Sequence, residues 1–222
     1  MPSQKAQAPL LRVSTRATLR QKLALATLQL LGWSVRFSPL PGPRGVIIFY
    51  PHTSNWDFVL GILAKSSLGL SLHFMSKESL FRGPAGWILG RFLRSVGGEP
   101  VNRLRATGTT ALMVARIRQA DRFWLALSPE GTRCRKDSWR SGFYQIARSA
   151  NVPLGLAYVD RRTKEIGMVT YLELTGMPDL DAVQIRHFYE GREGLRPHLA
   201  SPIRWRCEAP TSAASAPPQE DP

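Results

Sequence analysis

Acidic side chains are scarce in the first half of this chain, and cysteine is scarce throughout. No Asp or Glu precedes Asp57. Residues 1–105 hold 14 Lys and Arg against 3 acids, and the remainder holds 16 against 13. Most of the net charge of +14 therefore sits in the N-terminal half. Two cysteines, Cys134 and Cys207, stand far apart without CxxC spacing. That excludes a disulfide framework and a zinc cluster, and it fits a reducing, cytoplasmic setting. Long apolar runs are absent as well. Leu23–Trp33 is interrupted by Thr27, Gln29 and Gly32, too short and too polar to span a bilayer. It lies too deep for an ordinary signal peptide and has no clear cleavage site after it. The Arg-rich, acid-poor start is compatible with a transit peptide, against which stands a helical pattern that runs straight into the domain. There is no GxSxG elbow and no internal repeat.

What is present suits one globular domain: 222 residues with a 43% hydrophobic fraction. The basic excess favours anionic partners, meaning phospholipid headgroups, nucleic acid or phosphorylated substrates. Residues 1–15 read as a flexible basic lead. Residues 16–37, within a pattern running from Ser14 to Phe37, read as an amphipathic helix. Leu19, Leu23, Leu25, Leu28, Leu30, Leu31 and Trp33 form its apolar side, and Arg16, Arg20, Lys22 and Arg36 supply charge. Such a helix can lie in a membrane interface or pack on its own domain, and the two readings can coexist. Residues 38–207 form the main domain, and 208–222, rich in Ala, Ser and Pro, read as a disordered tail.

Within the domain, strands are expected at 46–50, 72–76, 99–102, 123–127, 153–159, 166–174 and 183–189. Helices are expected at 57–68, 84–95, 107–119 and 141–150. Strands interleaved with helices predict an α/β fold: a mixed, largely parallel central sheet flanked by helices, with the N-terminal amphipathic helix added.

Two polar loops follow apolar strands. His52-Thr-Ser-Asn-Trp-Asp57 follows Val46–Pro51, and Ser128-Pro-Glu-Gly-Thr-Arg133 follows Phe123–Leu127. Loops at strand ends of an open α/β sheet are where ligands bind. His52 is a candidate general base, because neutral imidazole titrates near operating pH. Asp57 can accept a hydrogen bond from one ring nitrogen and leave the other to act. No protein nucleophile is evident, so the simplest chemistry has the substrate supply it: an alcohol attacking an activated acyl group. The bland alternative is a loop histidine beside a helix-capping aspartate.

These residues resemble the HX4D motif of the glycerolipid (lysophospholipid) acyltransferases, the superfamily of bacterial 1-acyl-sn-glycerol-3-phosphate acyltransferase. Three further blocks match in order. Gly97-Gly-Glu-Pro-Val-Asn-Arg103 is similar to the second block, Ser128–Arg133 to the third, and Val152-Pro-Leu154 to the fourth. The resemblance spans roughly residues 45–160. It implies that His52 and Asp57 are catalytic and that Arg103 binds the acceptor phosphate, for which a guanidinium is suited by bidentate geometry. It places Glu130 in acceptor binding beside the His/Asp pair, with Gly131 allowing close backbone approach. Thr132 and Arg133 are expected to support the site or bind phosphate. A surface Arg103 and a Glu130–Arg133 structural pair are the plainer alternatives. Ser128 departs from the usual aromatic, and Arg140 stands where the family often has lysine. Trp56 and Phe58 are expected to pack in the core, and His73, His187 and His198 to be structural or surface residues.

The implied reaction is acyl transfer from an acyl thioester of coenzyme A or acyl carrier protein to a lysophospholipid hydroxyl. The default acceptor is 1-acyl-sn-glycerol-3-phosphate, with glycerol-3-phosphate or a lyso-aminolipid as alternatives. No metal or other cofactor is implied. The protein is expected to be peripheral (monotopic) on the cytoplasmic face of the cell membrane, drawn to anionic lipid. A nucleic-acid partner is not expected: the basic residues form no recognised binding motif, and charge does not account for His52, Asp57 and the Pro-Glu-Gly-Thr-Arg block. A lipid-binding relative without catalysis is the other rival, and retention of both His52 and Asp57 argues against it.

Overall fold

The structure, a computed structural model, describes residues 17–101 and 106–205. The elements run α1 (Leu19–Leu30), β1 (Ser34–Phe37), β2 (Arg44–Phe49), α2 (Asn55–Leu68), β3 (His73–Lys77), α3 (Gly83–Ser95), β4 (Gly98–Val101), α4 (Ala106–Gln119), β5 (Phe123–Leu127), α5 (Gly142–Ala150), β6 (Leu154–Asp160), β7 (Glu165–Leu172) and α6 (Pro178–Tyr189). A short 3₁₀ turn, Glu78–Phe81, joins β3 to α3. Seven strands make one sheet in the order β1-β7-β6-β2-β5-β3-β4. Only β6 and β7 pair antiparallel, so five strands point one way and β7 and β1 the other. The fold is α/β with a mixed, largely parallel sheet.

The central strand β2 is buried on both faces, as a continuous apolar run requires in a parallel sheet. Val46 and Ile48 join one core with Leu125, Leu154 and Leu156, closed by Phe143 and Ile146 of α5 and Ile185 of α6. Ile47 turns to the opposite face with Trp124 and Met168. A third cluster under α1 and α2 combines Leu25, Leu28, Leu60 and Ala64 with Val35, Val159 and Ile166. β2 thus lies between β5 and β6, and the chain leaves it toward both sides of the sheet. The crevice beyond the carboxyl ends of β2 and β5 is where such sheets accept ligands.

Two expectations need correction. The segment 183–189 is helix, not strand. Its alternating Val183, Ile185 and His187 mimic a strand, yet the buried positions Ala182, Ile185 and Tyr189 follow helical spacing. Pro178 begins the helix, Asp179 and Asp181 occupy its first turn, and Arg186 and His187 its last, all favourable for the helix dipole. The N-terminal helix is also shorter than 16–37. Thr18 caps it, with its hydroxyl accepting from the Gln21 amide while the Gln21 side chain accepts from the Thr18 amide. It ends at Leu30, and Gly32 takes a left-handed conformation (φ +79°) that turns the chain. Residues 34–37 then pair with β7 as an edge strand, where Val35 finds a buried position that continued helix would not supply. Of the leucines assigned to the apolar side of α1, Leu25 and Leu28 are buried, whereas Leu19, Leu23 and Leu30 are exposed.

Candidate active site

The two polar loops meet at the sheet edge because β2 and β5 are adjacent and parallel. Glu130 ties them together. One of its carboxylate oxygens accepts the backbone N–H of His52 at 2.7 Å, and the other accepts that of Ser201 at 2.9 Å. The side chain is 2% exposed. Burial first, opposed by those backbone donors, leaves its pKa above the usual carboxylate range. Glu130 therefore braces the histidine loop, each of its oxygens accepting from a main-chain donor.

Asp57 lies in the first turn of α2 and is fully buried. Its Oδ2 accepts the backbone N–H groups of Thr53 at 2.6 Å and Ser54 at 2.7 Å, completing a capping box in which the Ser54 hydroxyl also accepts from the Trp56 amide. The same Oδ2 lies 3.6 Å from His52 Nδ1. Capping and orienting are thus two tasks of one oxygen. Asp57 Oδ1 is buried and has no hydrogen-bond partner. Desolvation raises the Asp57 pKa, while the two backbone donors and then the charges of Arg133 and Arg196 hold it down. With Nδ1 facing the carboxylate, Nε2 is the ring nitrogen on the far side from Asp57.

The third-block loop turns at Gly131. Its φ is +65°, and a Cβ there would stand 2.8 Å from Arg140 Nε, so both conformation and space favour glycine. The Thr132 hydroxyl accepts from the Cys134 amide, which holds the turn. Arg133 is exposed, close enough to Asp57 to lower its pKa. Arg103 lies outside the described residues, as does Cys207; Cys134 is exposed.

His52 and Asp57 belong to the lining of a groove of about 1930 Å³. Phe49, Phe58, Ile62, Phe74 and Ala126 line it beneath α2, and Ser128, Thr132, Arg133 and Arg140 line it beyond β5. Two polar atoms of its wall, Ser128 Oγ and Trp139 Nε1, are buried without hydrogen-bond partners. Phe58 stacks edge-on against Phe74 at 5.2 Å, and Trp56, expected in the core, is 64% exposed. His73 is structural: it lies flat on Phe123 and pairs with Glu99, which also binds Arg116. His187 is an exposed partner of Glu190, and His198 sits in a second short 3₁₀ turn.

One part of the site carries no sequence signal. Residues 193–201, after α6, pass over the histidine loop. Gly194 packs on Pro51 and Thr53, where a Cβ would stand 2.9 Å from the Thr53 hydroxyl. The Arg196 amide donates to that hydroxyl at 3.0 Å, and the Tyr50 hydroxyl donates to the Ser201 carbonyl at 2.9 Å. Burial, with Glu130 beside it, pushes the Tyr50 phenol up to about 12, so it serves as a neutral donor. Arg196 adds a second cation near Asp57. These contacts use main-chain groups and a glycine, which follow no motif.

A mixed, largely parallel α/β sheet with a histidine just beyond its central strand and a carboxylate in the first turn of the next helix defines the class. A model of the Acyltransferase family matches residues 34–158, more than half of the sequence, and the chain belongs to that family. The match takes in both loops and stops before the bracing segment 193–201. Two solved chains match. One is the 1-acyl-sn-glycerophosphate (LPA) acyltransferase, PlsC, from Thermotoga maritima, with a TM-score of 0.51 and 17% identity over 78% of this chain and 79% of that one. At that identity the likeness is one of fold. None of the curated proteins matches. No helix among the described residues is long and apolar enough to cross a membrane, and no group of three or more His, Cys, Asp or Glu among them can hold a metal ion.

Proposed function

We propose that this acyltransferase moves a fatty acyl group from an acyl thioester, carried by coenzyme A or acyl carrier protein, to a hydroxyl of a lysophospholipid, foremost 1-acyl-sn-glycerol-3-phosphate. The observation that carries the reading is the buried Asp57 carboxylate 3.6 Å from His52 Nδ1 in the lining of a largely apolar groove. In this reading His52 Nε2 takes the acceptor hydroxyl proton as its oxygen attacks the thioester carbonyl. Asp57 opposes the imidazolium charge that forms. The tetrahedral intermediate then collapses, the carbon–sulfur bond breaks, and the thiolate recovers the proton from His52. Glu130 positions His52 through its backbone. Arg103, Thr132 and Arg133 serve the acceptor phosphate, and the second cation at Arg196 supports an anionic headgroup there. Gly131 keeps the loop close to it. The name of the Thermotoga maritima protein supplies the same acceptor.

The lipid acceptor implies that the protein works as a peripheral, monotopic enzyme on the cytoplasmic face of the membrane. Exposed Leu19, Leu23 and Leu30, with Arg20 and Lys22, support this contact. One observation favours a second acceptor class, glycerol-3-phosphate or a lyso-aminolipid. Ser128 Oγ, buried and unpartnered in the groove, offers a polar contact where the family usually has an aromatic ring. The test offers purified protein acyl-CoA and acyl carrier protein donors with each acceptor and identifies products by mass spectrometry. Phosphatidic acid from 1-acyl-sn-glycerol-3-phosphate is expected. Product only from another acceptor reassigns the substrate, and none from folded protein points to a non-catalytic lipid-binding relative.

A further inference from the structure

Helix α3 presents an apolar surface that the described residues leave uncovered. Ile88 is 69% exposed, Trp87 66% and Phe92 51%, and Leu80 and Leu89 are exposed beside them. The inner face of the helix is small or apolar: Gly86, Gly90 and Leu93 are buried, with Gly90 tight against Phe81. α3 thus leans on the turn 78–81 and on β4, the last strand of the sheet, and turns its larger hydrophobic side chains outward. A soluble surface normally scatters such residues singly.

The charge around this patch is mainly positive. Arg82, Arg91 and Arg94 flank it, residues 79–98 contain no acid, and Glu78 at its border is paired with Arg82. Arg91 lies over the Trp87 ring at 5.6 Å, and Arg94 over the Phe81 ring at 5.4 Å. Apolar residues with tryptophan at their border and arginine around them match an acyl–headgroup boundary, where indole sits at headgroup level and arginine meets phosphate. The patch borders the active-site groove at one residue: Leu80, exposed beside α3, shares that groove's lining with His52 and Asp57.

We propose that α3 is a bilayer-docking helix for anionic lipid: Trp87, Ile88 and Phe92 enter the acyl boundary, Arg91 and Arg94 engage phosphates, and the groove mouth is held against the membrane. The inference rests on the membrane reading above and adds to it a second element, separate from α1. It gives a lipid substrate a path from the bilayer along the groove without passing through water.

The experiment is flotation of the full chain with phosphatidylcholine vesicles, with and without phosphatidylglycerol, comparing wild type, Trp87→Ser/Ile88→Ser/Phe92→Ser and Arg91→Gln/Arg94→Gln. At roughly tenfold or more per large apolar side chain buried, reduced because these are already half-covered, the triple variant loses on the order of 100-fold in partitioning. The arginine variant loses about 25-fold, at about fivefold per charge, and only on anionic vesicles. It keeps the apolar surface intact, so it tests the docking even if the triple variant folds poorly. Wild type binding vesicles while both variants bind equally well overturns the role of α3 and leaves the membrane reading standing. Wild type binding no vesicles overturns both. A folded triple variant that keeps its vesicle binding but changes from oligomer to monomer assigns the patch to a second copy and overturns the proposal.

Discussion

Asp57→Ala and Asp57→Asn separate the two tasks of one oxygen. Oδ2 accepts from the buried amides of Thr53 and Ser54 and also faces His52. Alanine leaves both amides without an acceptor, at about 1–3 kcal/mol each, so about 2–6 kcal/mol in all. For a domain of this size, where 1 kcal/mol shifts Tm by about 2–4 °C, the alanine variant melts at least about 4 °C below wild type. Asparagine keeps an oxygen in the same place and sheds the charge. Desolvation is the leading cause of the raised Asp57 pKa, so the neutral amide removes a burial cost that exists at neutral pH. The Asp57→Asn variant therefore melts at or above the wild-type temperature at pH 7. It nonetheless loses the carboxylate that opposes the imidazolium, and turnover falls by on the order of 10²- to 10⁴-fold. The assays are thermal melting by circular dichroism and kcat for acyl transfer on the same preparations. An alanine variant as stable as wild type, or an asparagine variant with wild-type kcat, refutes the reasoning.

Other outcomes follow from the same geometry. Glu130→Gln puts an NH₂ against one of the two backbone amides that the carboxylate now accepts; stability drops by about 1–3 kcal/mol in urea titration and kcat falls with it. Gly131→Ala forces a left-handed φ on alanine at about 1–2 kcal/mol and presses on Arg140, so Tm falls and acceptor KM rises more than donor KM. Burial raises the pKa of Asp57 and Glu130, and their protonation steepens the acid limb of kcat/KM that the general base His52 sets. The same shift has a stability sign: the folded protein holds these protons longer than the unfolded chain, so their contribution is fullest below the unfolded pKa and declines as pH rises through the folded one. Unfolding titrations from pH 4 upward should show a flatter decline in Asp57→Asn.

Much of this fold and site was legible because polar blocks stand directly after apolar strands. The run Val46–Pro51 delivers His52, and Phe123–Leu127 delivers Glu130; parallel pairing of β2 and β5 brings both to one edge. The Asp57 position was legible twice, as a helix cap and as a partner for His52, and the structure uses it for both contacts. Two elements escaped for local reasons. In 183–189 an accidental alternation hid helical spacing that only burial against the sheet reveals. At the N-terminus, Trp33-Ser-Val-Arg-Phe continues an apolar pattern, but Gly32 and pairing with β7 end the helix at Leu30. The brace from Gly194, Arg196 and Ser201 was invisible because it acts through backbone amides and close packing. The hydrogen bonds of Glu130 to the His52 and Ser201 amides escaped for the same reason: no residue pattern encodes main-chain donors.

The most direct test of the account is single-turnover acyl transfer to 1-acyl-sn-glycerol-3-phosphate by wild type and His52→Ala at equal, verified folding. Loss of a positioned base predicts a rate lower by about 10²- to 10⁴-fold with little change in Tm. A His52→Ala protein that transfers acyl groups at the wild-type rate contradicts it.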